Sequence, residues 1–457
     1  MTVSKEKLTE KIREKTARIG VVGLGRVGLP TAAMFAHAGY HVTGADVNKE
    51  RINVISSMKC PFKESGLNEL IETVVKKGKL KATTDSVQAV READMAIICV
   101  QTPVTEDKKP NLTYLQTACE AVAKGLSKGK LVVVESSVPP GTMKNLVART
   151  LEGGSGLTCG EDFWLVYCPE TMASGRALQE FVENPRVVGG YNSESAQIAT
   201  ELFGMISKGK IAITDCLSAE VAKLAGNTFR DVNIAFVNEL ALICEQIGVD
   251  VMEVIKLVSM HPRTKNVHRP GCGVGGPCLT KDPYLLLRSV KENEFESKVI
   301  QSSREMNDRM PDHVVKRVIR ALKKAGKDIK NLKIAVLGCA YKGEVDDATA
   351  SPAEKIIYKL IDSGAKVVVY DPYSKETFGA EKARDIMEAI EEADCVVIAT
   401  NHKVFRELEL EKIKMLMGEN PVIVDCVRVV DSKRAKKDGF LYCGTGYNIS
   451  LEEKLNS

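Results

Sequence analysis

No stretch of the 457-residue chain approaches the roughly 20 consecutive apolar residues needed to cross a bilayer, so neither a helical span nor a membrane partner is expected. No secretory leader is expected either: Met1–Arg18 is charged and reads as a helix with frayed ends. Cys-x-x-Cys pairs are absent, which removes the usual signature of a zinc site, and no metal is expected. The thirteen cysteines are odd in number and scattered, a pattern that fits reduced thiols and a cytoplasmic location. A large excess of either charge is missing too. A net +4 is small against 64 basic and 60 acidic side chains, so nucleic acid is not an expected partner, whereas a small anionic ligand fits. Length and a 44% hydrophobic content provide for two or three cores.

The segment from Ile19 is a short apolar strand that runs into Gly23-x-Gly25-x-x-Gly28, with a helix expected over 29–39 and a second strand over 41–45 that ends in Asp46. This is the dinucleotide fingerprint in its full context. Gly23 turns the chain, Gly25 admits a pyrophosphate, Gly28 permits close helix packing, and an acid about 20 residues on accepts from ribose hydroxyls. Gly23, Gly25, Arg26, Val27, Gly28 and Asp46 are therefore the expected cofactor contacts, and the acid favours NAD over NADP. Strands over 95–100 and 131–135 extend a parallel, doubly wound sheet. Thr102 and Ser137 follow these strand ends as loop hydroxyls facing the cofactor.

The pattern returns late in the chain. Residues 333–340 resemble the first strand and turn, 367–370 followed by Asp371 resemble the second, and Glu392-Ala-Asp echoes Glu92-Ala-Asp. The fold class expected is α/β, with two Rossmann-like doubly wound parallel-sheet domains joined by a long central helix over 218–247, which ends at Gly248. The second half keeps Gly338 without the glycine triplet, so it is expected to cover something other than a whole dinucleotide. The helix carries apolar residues at Val221, Leu224, Phe229, Val232, Phe236, Leu240 and Ile243, broader than one stripe. That breadth suits a subunit interface or burial within the monomer.

Two clusters carry candidate chemistry. Gly271-Cys-Gly-Val-Gly-Gly-Pro-Cys278-Leu-Thr-Lys-Asp282 supplies a nucleophile. Pro277 fits the first position of a helix, which would put Cys278 in the first turn near the positive dipole end and Asp282 on the same face. A structural cysteine beside a glycine-rich turn is the alternative. Lys223 and Asn227, four apart on an apolar helix face, fit an oxyanion donor and a substrate-positioning amide; a snorkelling lysine is the bland reading. Glu170 follows the strand-like run from Leu165, where α/β sites gather, although a surface-turn glutamate reads the same way.

Together these residues resemble the nucleotide-sugar 6-dehydrogenases of the UDP-glucose/GDP-mannose dehydrogenase family, from about Arg18 to Tyr447. The likeness rests on the glycine fingerprint with Asp46, Val138-Pro-Pro-Gly-Thr142, Cys168-Pro-Glu170, Glu220-x-x-Lys223-Leu-x-x-Asn227, Gly273-Val-Gly-Gly-x-Cys278 with Lys281-Asp282, Ala340-Tyr-Lys-Gly-x-Val-Asp-Asp347 and Ser351-Pro352. It implies an NAD-binding domain over 1–214, a central helical domain with the cysteine loop and dimer interface over 215–325, and a UDP-binding domain over 326–457. It implies Cys278 as covalent nucleophile, Lys223 as oxyanion donor, and Asp282 and Glu170 as acid/base or water-positioning groups. Asn227, Arg263, Gly275, Lys342 and Arg428 become substrate contacts, with Lys223 and Asn227 serving in both roles. Arg263 reaches the sugar nucleotide across the dimer in several family members.

The implied reaction is NAD-dependent four-electron oxidation of a UDP-sugar C6 hydroxyl to the uronate, through a thiohemiacetal and a thioester on Cys278. The sequence from His261 to Tyr284 resembles the N-acetylhexosamine branch, pointing to UDP-N-acetyl-D-mannosamine before UDP-N-acetylglucosamine or UDP-glucose, and to a homodimer or higher homo-oligomer. Thr349 stands where many members carry arginine, which removes one expected C-terminal contact. Two alternatives remain: a two-electron β-hydroxyacid-type dehydrogenase that uses Lys223 as base, and a non-catalytic nucleotide-sugar sensor.

Overall fold

The computed structural model describes residues 4–290 and 295–447. The chain folds as two compact units, Met1–Gly226 with Lys281–Phe295, and Asn227–Thr280 with Glu296–Ser457. Both α/β halves read from the repeat are present.

Among the described residues, unit 1 holds eight strands: β1 (Arg18–Val22), β2 (His41–Ala45), β3 (Leu80–Thr83), β4 (Met95–Ile98), β5 (Leu131–Val134), β6 (Trp164–Tyr167), β7 (Arg186–Gly190) and β8 (Ile211–Asp215). Their order is β3-β2-β1-β4-β5-β6-β7-β8. Pairing is parallel from β3 to β6, with Ile19 opposite Met95 and Met95 opposite Leu131. The β6–β7 pair is antiparallel, so β7 and β8 run against the rest, a reversal absent from the sequence reading. Every residue of β4, β5 and β6 is buried, as expected for strands covered on both faces.

Unit 2 repeats the design with β9 (Lys333–Leu337), β10 (Lys366–Tyr370), β11 (Glu381–Lys382), β12 (Cys395–Ile398), β13 (Val422–Asp425) and β14 (Leu441–Gly444). The order is β11-β10-β9-β12-β13-β14, all parallel. The repeat extends to single atoms. Asp94 accepts from the N–H of Arg18 at the start of β1 (2.8 Å) and pairs with Lys11; Asp394 does the same for Lys333 (3.1 Å) and pairs with Lys327. Gly23 and Gly338 each turn the chain with positive φ, 94° and 101°, and donate to the last carbonyl of the neighbouring strand.

The helix Cys216–Ile247 runs from one unit into the other, close to the bounds read from the sequence, and Gly248 closes it at φ 83°. Phe229, Phe236 and Ile243 recur every seven residues and are 68%, 57% and 49% exposed, so burial within the chain does not account for them. None of the thirteen cysteines forms a disulfide. Among the described residues no helix is long and apolar enough to cross a membrane, and no group of side chains forms a metal site.

The repeat diverges after its second strand. Asp371 accepts from the N–H groups of Cys339 (2.7 Å), Ala340 (2.9 Å), Tyr373 and Ser374 (2.8 Å each), and from Nε2 of the buried His402 (3.1 Å). His402 Nδ1 accepts from the Glu344 N–H, which assigns the proton to Nε2. Burial raises the Asp371 pKa, but these partners outweigh it and hold the carboxyl well below its usual range. A lowered folded pKa means that the unfolded chain takes up the proton first. The stabilisation is therefore full above about pH 4 and is lost as pH falls toward the depressed value. Asp371→Asn is expected to cost about 2 kcal/mol in urea unfolding at pH 7 and clearly less at pH 3. An equal loss at both pH values would contradict this role.

Candidate active site

In unit 1, β1 delivers the chain to the glycine turn. A side chain at Gly23 would lie 2.4 Å from the Cys99 carbonyl oxygen, and one at Gly28 would lie 1.9 Å from that of Gly23. Gly25 has nothing within 4 Å of the Cβ position, so that side of the turn is open. The following helix, Gly28–His37, has no side-chain cap at its N-terminus next to Val27, so no side chain occupies the helix start. Asp46 receives the N–H groups of Leu24 (2.8 Å) and Asn48 (2.9 Å) and pairs with Arg51 (2.8 Å). Arg26 stacks on Phe62, 5.0 Å from its ring centre. An open glycine, an uncapped helix start and a fixed carboxylate at the end of β2 fit a dinucleotide with free ribose hydroxyls.

The loops after β4 and β5 are locked to each other. Thr102 donates from Oγ1 to the Ser137 carbonyl (2.5 Å) and accepts from Lys281 Nζ (3.1 Å). Ser136 exchanges two hydrogen bonds with Val100. Ser137 thus contributes its carbonyl to this lock. After β6, Glu170 and Lys223 form a buried pair: Lys223 Nζ donates to the Glu170 carbonyl (2.7 Å) and to Oε1 (2.9 Å), with both side chains about one-tenth exposed. Glu170 Oε2 takes the Met172 N–H. Lys223 is therefore a held cation, not a snorkelling one. Asp282 is fully buried beside Lys281 (3.3 Å) and opens the helix Asp282–Leu287.

Two further carboxylates received no role in the sequence reading. Glu220, one turn before Lys223, accepts from the N–H groups of Gly141 (2.6 Å) and Met143 (2.7 Å), tying the Pro-Pro-Gly turn to the helix. Glu135 takes the Thr31 hydroxyl (3.0 Å) and the Cys99 thiol (3.1 Å). Burial pushes the pKa of both upward. Glu135 directly follows β5, and the strand-end argument used for Glu170 would have found it.

In unit 2, Cys278 lies in a turn ahead of the helix that starts at Asp282, not in a first helical turn, and Pro283 rather than Pro277 occupies the helix start. The four-residue spacing from Cys278 to Asp282 is thus not a helix-face spacing. The glycines act by close packing. A side chain on Gly275 would meet the Ala350 carbonyl oxygen and Tyr341 Cβ at 2.8 Å, and one on Gly276 (φ 89°) would strike the Tyr341 ring at 2.7 Å. Gly276 donates its N–H to the Thr349 carbonyl (2.9 Å), and Thr280 Oγ1 returns to the Gly276 carbonyl (2.7 Å).

Thr349 caps Asp347 with its N–H and hydroxyl while its carbonyl holds this loop. Asn227 is half-buried in the long helix, and Arg263 and Lys342 are exposed. Arg428, expected near a UDP group, has both terminal guanidinium nitrogens on Asp250 (2.9 and 2.8 Å) and one also on the Thr445 carbonyl (3.1 Å). Its main engagement is within unit 2.

Three family models match in succession: the UDP-glucose/GDP-mannose dehydrogenase family NAD binding domain over 17–207, its central domain over 217–309 and its UDP binding domain over 335–432. The UDP-N-acetyl-D-mannosamine dehydrogenase of Pyrococcus horikoshii is 42% identical over 429 residues, 94% of this chain and 99% of that protein. That of Campylobacter jejuni is 40% identical over 410 residues, 87% of this chain and 98% of its own. The solved structure of the UDP-D-ManNAc dehydrogenase from Pyrococcus horikoshii superposes with a TM-score of 0.88 at 40% identity, over 94% of this chain and 99% of that one. With relatives aligned along nearly its whole length and the three models following one another in order, the chain belongs to the UDP-glucose/GDP-mannose dehydrogenase family.

Proposed function

We propose that this protein oxidises the C6 hydroxyl of UDP-N-acetyl-D-mannosamine to the uronate, with two molecules of NAD consumed per sugar. The observation that carries the substrate choice is the 42% identity, over 99% of its length, to a relative that bears this activity in its name. Balanced, the alcohol, one water and two NAD⁺ become the carboxylate, two NADH and three protons. When bound in the Gly23–Asp46 turn, NAD accepts the hydride of each oxidation.

The chain's own groups do the remaining work. As the first hydride leaves C6 the hydroxyl proton passes to solvent water, and Lys223, held by Glu170, donates to the C6 oxygen as negative charge develops there. Cys278 Sγ adds to the aldehyde carbon while its proton passes to solvent or a nearby base, so the aldehyde stays covalently bound as a thiohemiacetal. Loss of the second hydride leaves a thioester. Water then attacks the acyl carbon, Asp282 or Glu170 takes its proton, and the carbon–sulfur bond breaks to return the thiolate. Asn227 orients the sugar, and Arg263 and Lys342 meet the nucleotide. The exposed seven-residue stripe of Phe229, Phe236 and Ile243 supports a homodimer formed along the long helix. Thirteen cysteines without a disulfide favour a cytoplasmic setting.

With purified protein and excess NAD, two NADH are expected per UDP-N-acetylmannosamine, read at 340 nm beside UDP-N-acetylglucosamine and UDP-glucose. One NADH would return Cys278 to a structural role. Cys278→Ser is expected to abolish uronate formation, and near-normal uronate from this variant would remove Cys278 from the chemistry. Lys223→Met is expected to lower kcat by about 100-fold, the loss typical of one oxyanion donor; an unchanged kcat would reassign it. Phe236→Asp is expected to turn a dimer into a monomer in light scattering, and an unchanged mass would place the interface elsewhere.

A further inference from the structure

We propose that Asn238 is a positioning residue for the nucleophile loop, held in a single amide orientation by a polar relay that starts at the Arg304–Asp231 ion pair. The inference rests on reading Cys278 as the nucleophile, and every residue of the relay lies in unit 2. Arg304 Nη1 meets Asp231 Oδ1 at 2.6 Å, while Nη2 meets Asp308 Oδ1 at 2.6 Å. Asn307 donates from Nδ2 to the Asp231 carbonyl (3.0 Å) and to its Oδ1 (2.9 Å). The Oδ1 of Asn307 is thereby left to accept from Asn238 Nδ2 (2.9 Å). Asn238 Oδ1 then accepts the N–H of Gly271, the residue that opens the loop leading to Cys278 (2.9 Å).

The direction of this chain is fixed from its charged end. Rotating the Asn307 amide would turn its oxygen toward the Asp231 carboxylate. Rotating the Asn238 amide would turn its NH₂ group toward an N–H donor. Neither rotation is tolerated away from water, and Asp231, Asn238, Asn307 and Arg304 are 0%, 0%, 1% and 3% exposed. The relay crosses the seam between the helices Cys216–Ile247 and Lys298–Lys324. Apolar side chains would close that seam without the desolvation cost of four polar groups. What the polar version adds is an oriented acceptor aimed at loop backbone. Asn307 also meets the loop directly, since a side chain on Gly273 would lie 2.9 Å from its carbonyl oxygen. Downstream, the loop is held by Thr349 and Tyr341, so the relay supplies the upstream fixed point of the segment bearing Cys278.

The test compares Asn238→Leu, which removes both hydrogen bonds, with Asn238→Asp. The aspartate keeps an acceptor for Gly271 but points a second oxygen at Asn307 Oδ1. Burial raises the pKa of such an acid, and its protonated form donates to Asn307 and restores the relay. Other charged groups along this seam are Asp231, Arg304 and Asp308, and further on Glu245 with His313 and Arg317. Three quantities are read on the full chain: iodoacetamide alkylation of Cys278 by peptide mass, uronate formation from UDP-N-acetylmannosamine, and KM for NAD.

Asn238→Leu is expected to lower uronate formation by about 100-fold, as a displaced nucleophile does, with altered Cys278 alkylation and unchanged KM for NAD. Asn238→Asp is expected to approach the parent as pH falls from 8.5 to 6. Parent-like alkylation and uronate formation in both variants would overturn the proposal, and so would a deficit in Asn238→Asp that pH does not relieve. Should Asn238→Leu fail to fold, the pH series on Asn238→Asp decides. A parent that makes no uronate would instead sink the dehydrogenase reading, and the alkylation rates would still report on the loop.

Discussion

The Tyr341 ring lies where a side chain on residue 276 would have to go, and the shape of the cysteine loop follows from that exclusion. Only glycine fits against the ring at a φ of 89°, and only glycine at 275 fits between the Ala350 carbonyl and Tyr341. Close approach brings the Gly276 N–H to the Thr349 carbonyl, and Thr280 folds back on Gly276 to complete the turn that contains Cys278. Cys278 is therefore placed by packing on the segment 341–352 rather than by a helix start. That segment lies in the part of the chain matched by the family's UDP binding domain.

Two sheets with the same strand logic have been turned to different ends by a few residues. In unit 1 the fingerprint turn stays open at Gly25, and the acid after β2 receives two N–H groups and an arginine. In unit 2 the Thr400 side chain abuts Gly338 and His402 reaches the acid after β10, which is already held by four N–H groups. Asp371 thus has five donors against three at Asp46, and they tie it to its own domain.

Much of this architecture was legible in the sequence because it is local. Apolar runs with glycine turns reported β1, β2, β9 and β10. The long helix announced both its length and its glycine stop. Features that depend on distant partners were not legible. The bulk of Tyr341, far downstream in the chain, sets the Cys278 turn, a separation that no helix-start rule contains. Arg428 is claimed by Asp250, 178 residues earlier in the chain, although its setting after β13 resembles a ligand contact. The reversal of β7 depends on how the chain leaves β6, and Arg186–Gly190 reads the same in either direction. Glu220 was visible within its motif, but its job emerged only when the Gly141 and Met143 N–H groups were seen to converge on it.

The central claim is a covalent acyl-enzyme on Cys278. Acid-quenching the protein during turnover of UDP-N-acetylmannosamine with NAD, followed by intact and peptide mass analysis, addresses it directly. The account predicts a mass gain equal to the sugar-nucleotide acyl group on the peptide that contains Cys278, discharged by hydroxylamine. Steady uronate production with no adduct, or an adduct on another residue, would contradict it.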